Sequence, residues 1–148
     1  MNDFQALDET LSTLLQQLSP QSRRALMRQI VRGLRQQQQK HIQAQKTPDG
    51  TPFVPRKTTR RDKHGRIRRK MFTRLRTARF MKTASTSDEA EVTFAQNVQN
   101  LSRVHHYGLR DKISRTGPTV RYARRQLLGF TNADVEWIRD LALDHIAK

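Results

Sequence analysis

A chain of 148 residues can bury one modest core, yet 34% hydrophobic content and a mean hydropathy of −0.85 leave little to build it from. The net charge of +16 and isoelectric point near 11.5 call for a polyanion or an acidic surface as partner. The absence of cysteine excludes a disulfide framework and a thiolate zinc site, and no apolar run reaches the ~18 residues of a membrane span.

The opening MNDFQALDE lacks the basic-then-apolar layout of a signal peptide, so a soluble intracellular product is expected. So polar a chain either contains disordered stretches or borrows stability from partner subunits. Phe4, Leu7, Leu11, Leu14, Leu15 and Leu18 share one face at helical spacing and predict a first helix. In LSPQSRR, Ser19 is placed to cap a second helix with Pro20 at its first position, and Ser22 leaves the capping box without its reciprocal half. Leu26, Met27, Ile30, Val31 and Leu34 continue that helix towards Ala44, through a glutamine tract at 36–39 and past Gly33. Its outer face is basic, with Arg24, Arg28, Arg32 and Arg35.

TPDGTPFVPR (47–56) is turn chemistry, with three prolines and an Asp-Gly pair. It opens an irregular stretch in which 56–82 holds 13 Lys or Arg against one Asp, most of the chain's excess charge. Within it, DKHGR at 62–66 reads as the tip of a hairpin-like loop. Met71, Phe72 and Leu75 predict a helical turn, and the chain is then expected to extend from Ala78 to Ala84. TSDE is a turn, and AEVTFA alternates with Val92 and Phe94 inward, so a β-hairpin is expected here.

A further helix carries Val98, Leu101, Val104 and His105 on one face, with Gly108 as its stop. Residues 110–126 read as a basic loop, with a short strand around 120–122. The last helix opens on a capping box of Thr131 with Asp134 and presents Val135, Ile138, Leu141 and Ala142 on one side. The fold class is α+β: an N-terminal helical hairpin, a small antiparallel β-sheet with a long basic loop, and a C-terminal helix. The reading is one domain over 1–148, with the helical hairpin at 1–46, the basic loop at 47–70 and the β-hairpin with the C-terminal helix at 71–148.

Catalytic and cofactor signatures are missing. None of His41, His64, His105, His106 and His145 pairs with a carboxylate at a metal-binding spacing, and the sequence has no phosphate-binding glycine loop and no nucleophile elbow. His105 and His106 point in different directions on a helix, so one is expected to pack and the other to face solvent. No enzyme, metal or cofactor is therefore expected. Trp137 on its amphipathic helix is read as core or subunit contact.

The basic segment has two readings. Arg56, Lys57, Arg60, Arg61, Lys63, Arg66, Arg68, Arg69 and Lys70 could neutralise phosphates, or order against an acidic protein face during assembly. Phe53, Phe72 and Phe80 look like its anchors rather than an interleaved stacking platform, and no helix-turn-helix, RNA-recognition or zinc-finger pattern accompanies it. Charge alone does not separate the two.

Three stretches in order, PDGTPFVPRK, SRVHHYGLRD and RQLLGFTNADVEWIRDLALDHI, resemble the tail completion proteins of contractile-tailed temperate phages, the gene S type of the phage virion morphogenesis family. The matching residues are Asp49, Gly50, Pro52, Phe53, Pro55 and Arg56, then Arg103, His105, Tyr107 and Gly108, then Arg125, Leu127, Leu128, Gly129, Phe130 and Asp134. The sequence departs from the family pattern in a more basic 59–70 and in His106.

The resemblance implies a structural virion protein that finishes the head-proximal end of the tail as a closed, hexameric ring and enables head–tail joining. Its motif positions and Trp137 then become subunit-contact candidates. The implied partners are further copies of itself, the tail tube or tail terminator, and the head connector or neck proteins, with DNA in the tail lumen left open and no membrane. Its implied location is the virion tail, and the host cytoplasm during assembly. The apolar anchors favour a protein seam over the lumen for the basic segment. Two other readings stand beside this one: a nucleic-acid-binding protein using 56–82, and a transient assembly chaperone.

Overall fold

The computed structural model describes residues 5, 9, 12–55, 70–112 and 115–147. Helix α1 spans Pro20–Gln43, α2 spans Gln99–Tyr107 and α3 spans Asn132–Ala147. Strands β1 (Met81–Ser85) and β2 (Ala90–Phe94) form one two-stranded sheet, and β3 (Arg110–Lys112) and β4 (Thr119–Arg121) form another. The α+β class and the two terminal helical regions are as the sequence predicts. The expected first helix is seen at Gln5, Glu9 and 12–15 and gives way to turns at 16–18, short of Leu18; its other residues lie outside the described residues.

Residues divide into two compact units, the first comprising 1–37, 82–93 and 130–148. Its core is the inner face of α1 (Leu26, Met27, Ile30, Leu34) against Val135, Ile138 and Ala142 of α3, with Leu14, Leu15, Leu18, Ala90, Val92 and Leu141 packed at the margin. Each large side chain buried this way stabilises by about 1.5–3 kcal/mol.

Local chemistry fixes where these elements begin. The Ser19 hydroxyl accepts the Ser22 N–H at 3.2 Å at the start of α1. The Thr131 hydroxyl accepts the Asp134 N–H at 3.1 Å while the Asp134 carboxylate accepts the Thr131 N–H at 3.0 Å, closing a reciprocal box on α3. The β1–β2 turn is held by Thr86, whose hydroxyl accepts the N–H groups of Asp88 and Glu89 at 3.1 and 3.0 Å.

Gly33 owes its place inside α1 to packing. A Cβ there would lie 2.1 Å from the ring of Trp137, so the ring rests directly on the helix backbone. Trp137, 36% exposed, thus lies against the core edge of its own unit.

The second unit comprises 38–81 and 94–129, and its buried apolar residues are Ile42, Phe53, Met71, Leu75, Met81, Phe94, Val104 and Leu127. Four expectations are corrected here. The helical turn predicted at 71–75 is a run of bends and turns, with Leu75 N–H bonding Phe72 O and Thr77 N–H bonding Arg74 O. That run continues through Phe80, so the strand starts only at Met81. Leu101 is exposed, and the buried face of α2 is Ser102 and Val104. The short strand expected at 120–122 is present as β4, but residues 110–112, expected as loop, form its partner strand, pairing Arg110 with Arg121, Asp111 with Val120 and Lys112 with Thr119.

The fit of Trp137 on Gly33 gives a direct test. In an open helix Gly→Ala would stabilise by about 1 kcal/mol. Here Gly33→Ala is expected to lower the melting temperature and red-shift the emission of the single tryptophan. A higher melting temperature with unchanged emission would refute the contact.

Candidate functional site: a junction of three sequence motifs

The second unit brings together the first two stretches that carry the resemblance and the opening RQLLG (125–129) of the third, and Gln45 sits among them. Helix α1 ends with Gln45 N–H bonded to Ile42 O and Lys46 N–H bonded to His41 O, a Schellman-type close with Gln45 at φ 58. Glycine normally fills such a position, because a side chain there costs ~1–2 kcal/mol. The glutamine is used instead for its amide. Its Nε2 donates to Ile42 O at 2.7 Å and to Met71 O at 2.8 Å, and its Oε1 accepts the Met71 N–H at 2.7 Å. Its own backbone carbonyl accepts the Phe53 N–H at 2.8 Å. The chain on either side of the basic segment is therefore tied to one residue.

Rings reinforce that tie. Phe53 meets Phe72 edge-on at 5.8 Å, Phe72 meets His105 at 5.0 Å, and His105 meets Tyr122 at 4.8 Å. Such pairs contribute roughly 0.5–1.5 kcal/mol each beyond their buried area. Phe72 also has positive φ, 64°. Strained non-glycine backbone persists where the surroundings over-determine it, and among the described residues both instances are at this junction.

The third motif closes the junction. Arg125 is buried; its Nε donates to Val54 O at 2.7 Å, its Nη2 to Pro55 O at 3.3 Å, and its backbone N–H to His105 O at 2.8 Å. Gln38 and Gly129 exchange two bonds of 3.0 Å, the side-chain amide again acting as a peptide. Gln39 Nε2 donates to Arg76 O at 2.7 Å. Leu127 N–H donates to His106 Nδ1 at 3.2 Å, which places the proton of the neutral ring on Nε2. Gly108 ends α2 in the left-handed region at φ 68, and a Cβ there would meet Arg124 N at 2.9 Å.

The first motif forms a tight turn. Lys46 and Pro52 bridge antiparallel, Gly50 takes φ 93, and the Asp49 carboxylate accepts the Thr47 hydroxyl and, at 2.9 Å, the Thr51 N–H. Those two bonds, the Thr47 hydroxyl first, hold the Asp49 pKa down to about 2.

The candidate residues fall into three groups. Asp49, Gly50, Pro52, Phe53, Pro55, His105, Gly108, Leu127, Leu128 and Gly129 build or border the junction. Arg103 and Tyr107 face outward, Arg103 reaching only Asn100 Oδ1 at 3.5 Å and Tyr107 being 61% exposed, while Trp137 belongs to the other unit. Lys70 is exposed, and Arg56, Lys57, Arg60, Arg61, Lys63, Arg66, Arg68 and Arg69 lie outside the described residues, as does the loop tip at 62–66. Both His105 and His106 are half-buried, correcting the expectation that one faces solvent. Among the described residues no group of His, Asp or Glu is disposed to hold a metal, and no helix is long and apolar enough to cross a membrane.

Set beside known proteins, the chain matches along nearly its whole length. A family model of phage virion morphogenesis proteins matches residues 2–147, and the chain belongs to that family. It is 38% identical over 150 residues to tail completion protein S of Escherichia phage P2, covering 100% of both chains. No solved structure matches it. The resemblance to the gene S type of tail completion protein thus holds from end to end, and the protein is a phage virion morphogenesis protein.

Two predictions follow from the junction. Gln45→Ala removes three hydrogen bonds and strands the Met71 peptide, so a loss of about 2–4 kcal/mol in urea unfolding is expected. Gln45→Gly relieves the backbone but loses the amide, and is expected to remain less stable than the parent. A Gly variant as stable as the parent would mean that the amide contributes nothing.

The histidines give the second. Burial, then Arg125, lowers the pKa of His105 against a small opposing effect of Asp111; burial, then Arg124, lowers that of His106; the ordinary value is 6.5. With folded values below the unfolded one, the neutral rings stabilise fully above pH 6.5 and that stability is lost as pH falls through the lowered values. Urea midpoints are expected to drop as pH falls from 6.5 through the lowered values, and less so in His105→Phe. A midpoint that rises on acidification would contradict the burial of both rings.

Proposed function

We propose that this protein completes the head-proximal end of a contractile phage tail as a ring, hexameric in the simplest form, and enables the filled head to join. The junction supports this reading most strongly. Buried hydrogen bonds and strained backbone fix both flanks of a segment carrying nine Lys or Arg between 56 and 70. Such a construction suits presentation of charge to a neighbour. Arg56, Lys57, Arg60, Arg61, Lys63, Arg66, Arg68, Arg69 and Lys70 then contact an acidic face of the tail tube, the tail terminator or a head connector or neck protein.

Apolar exposure supports self-association. Val54, Leu101, Tyr107 and Leu143 are 49, 47, 61 and 54% exposed in a chain short of apolar residues, and subunit contacts would cover such groups. The whole of 1–148 acts as one tail completion domain in this reading, located in the virion tail after assembly in the host cytoplasm. The full-length similarity to a tail completion protein supports the placement at the tail. The apolar anchors Phe53 and Phe72 at the segment's flanks favour a protein seam over DNA in the lumen as its main partner.

Complementation tests the reading. A phage lacking the chain, supplied with a variant whose nine cations between 56 and 70 are glutamine, is expected to accumulate tails and filled heads that do not join. Infectious yield should fall by orders of magnitude, while purified wild-type particles contain the protein. Normal joining by the variant would contradict the role of the segment. Absence of the protein from finished particles would replace the ring with a transient chaperone.

A further inference from the structure

A second positive surface lies in the first unit. Arg24, Arg28 and Arg32 are exposed on α1 at steps of four residues, about 6 Å apart along the helix axis. No acidic residue interrupts Pro20–Gln43. Of the two acids on the β1–β2 turn, Asp88 and Glu89, Asp88 pairs with Arg23 at 3.6 Å, which offsets its charge. Arg24 and Arg28 line a half-open cleft of about 340 Å³ whose other walls are Ser85, Thr86 and Ser87. The Thr86 oxygen accepts the two turn N–H groups, leaving its O–H proton to donate.

Two arginines and three hydroxyl-bearing residues thus line one space. Arginine, serine and threonine are the side chains that hold phosphate oxygens, the guanidinium in bidentate fashion. A single carboxylate from a protein partner would engage one fork and leave the hydroxyls unused. The cleft has room for a phosphate with its flanking sugar, and Arg32 continues the positive track one turn onward. We propose that this cleft is a phosphodiester-binding site through which the protein contacts a nucleic-acid backbone without reading its sequence. The site is separate from the 56–70 segment and does not depend on the ring.

The test is binding of the full chain to a short mixed-sequence DNA duplex, followed by fluorescence anisotropy across a salt series. In a background with the nine cations of 56–70 changed to glutamine, binding is expected to persist. Adding Arg24→Ala with Arg28→Ala should weaken it about tenfold and flatten the slope of log K against log salt by about 2, as two phosphate contacts require. Amide shifts on adding the duplex should map to Ser85, Thr86 and Ser87 in the unsubstituted protein, which decides the matter if the double variant fails to fold. Unchanged affinity and slope in a folded double variant would overturn the proposal. So would shifts at these three residues with an acidic peptide but none with DNA. Either failure would leave the joining phenotype of the 56–70 variant as it is.

Discussion

The amide of Gln45 takes the place that a neighbouring strand's peptide would hold beside Met71, donating to its carbonyl and accepting from its N–H. Much of the second unit depends on that substitution. Without it the Met71 peptide would be left partly buried and unpaired, a penalty of about 1–3 kcal/mol. With it, Gln45 tolerates a left-handed backbone that costs ~1–2 kcal/mol, because the side-chain bonds outweigh the strain. The same device recurs at Gln38, whose amide pairs with the Gly129 peptide, and at Gln39, which holds Arg76 O. A chain poor in apolar residues thus ties its second unit together with side-chain amides acting as peptides, with Arg125 gathering the carbonyls of Val54 and Pro55.

The bonds at the junction bear on the proposed assembly role. The nine cations between 56 and 70 repel one another, and a mobile attachment would spread them through solvent. In the proposed role, the hydrogen bonds that hold residues 53–55 and Met71 on either side of the segment would lower the ordering entropy lost on meeting a partner. Self-association faces the opposite problem, since +16 on every copy opposes close approach within the screening length of about 8–10 Å. Subunit contacts must therefore come from apolar surface, and Leu101, Tyr107, Val54 and Leu143 supply it in the proposed ring.

Features governed by near neighbours were legible in the sequence. The Ser19 cap, the Thr131–Asp134 box, the Gly108 stop and the TSDE turn each rest on residues within four positions of one another, and the structure keeps all four. The core faces of α1 and α3 were legible too, because apolar spacing declares a buried side. The glutamine clamps were hidden, Gln38 and Gln39 in a tract that reads as plain helix and Gln45 just past the helix end. Glutamine has neither periodicity nor apolar character, and its partners Met71 and Gly129 lie 26 and 91 residues away. β4 was foreseen to within a residue as the short strand at 120–122, whereas β3 was hidden because Arg110, Asp111 and Lys112 show no apolar alternation. The only sign of the junction was the three motifs themselves, and their meeting in space gives them a physical reason to occur together.

The ring remains the most exposed part of the account, and the mass of the nuclease-treated protein by light scattering in high salt addresses it most directly. High salt removes electrostatic association and any bound nucleic acid, so only apolar contacts between copies survive. The account predicts one discrete oligomer whose mass is a whole multiple of the 17.3 kDa chain and does not fall as salt rises. A monomer at every protein concentration tested would contradict a ring held together by the protein's own contacts.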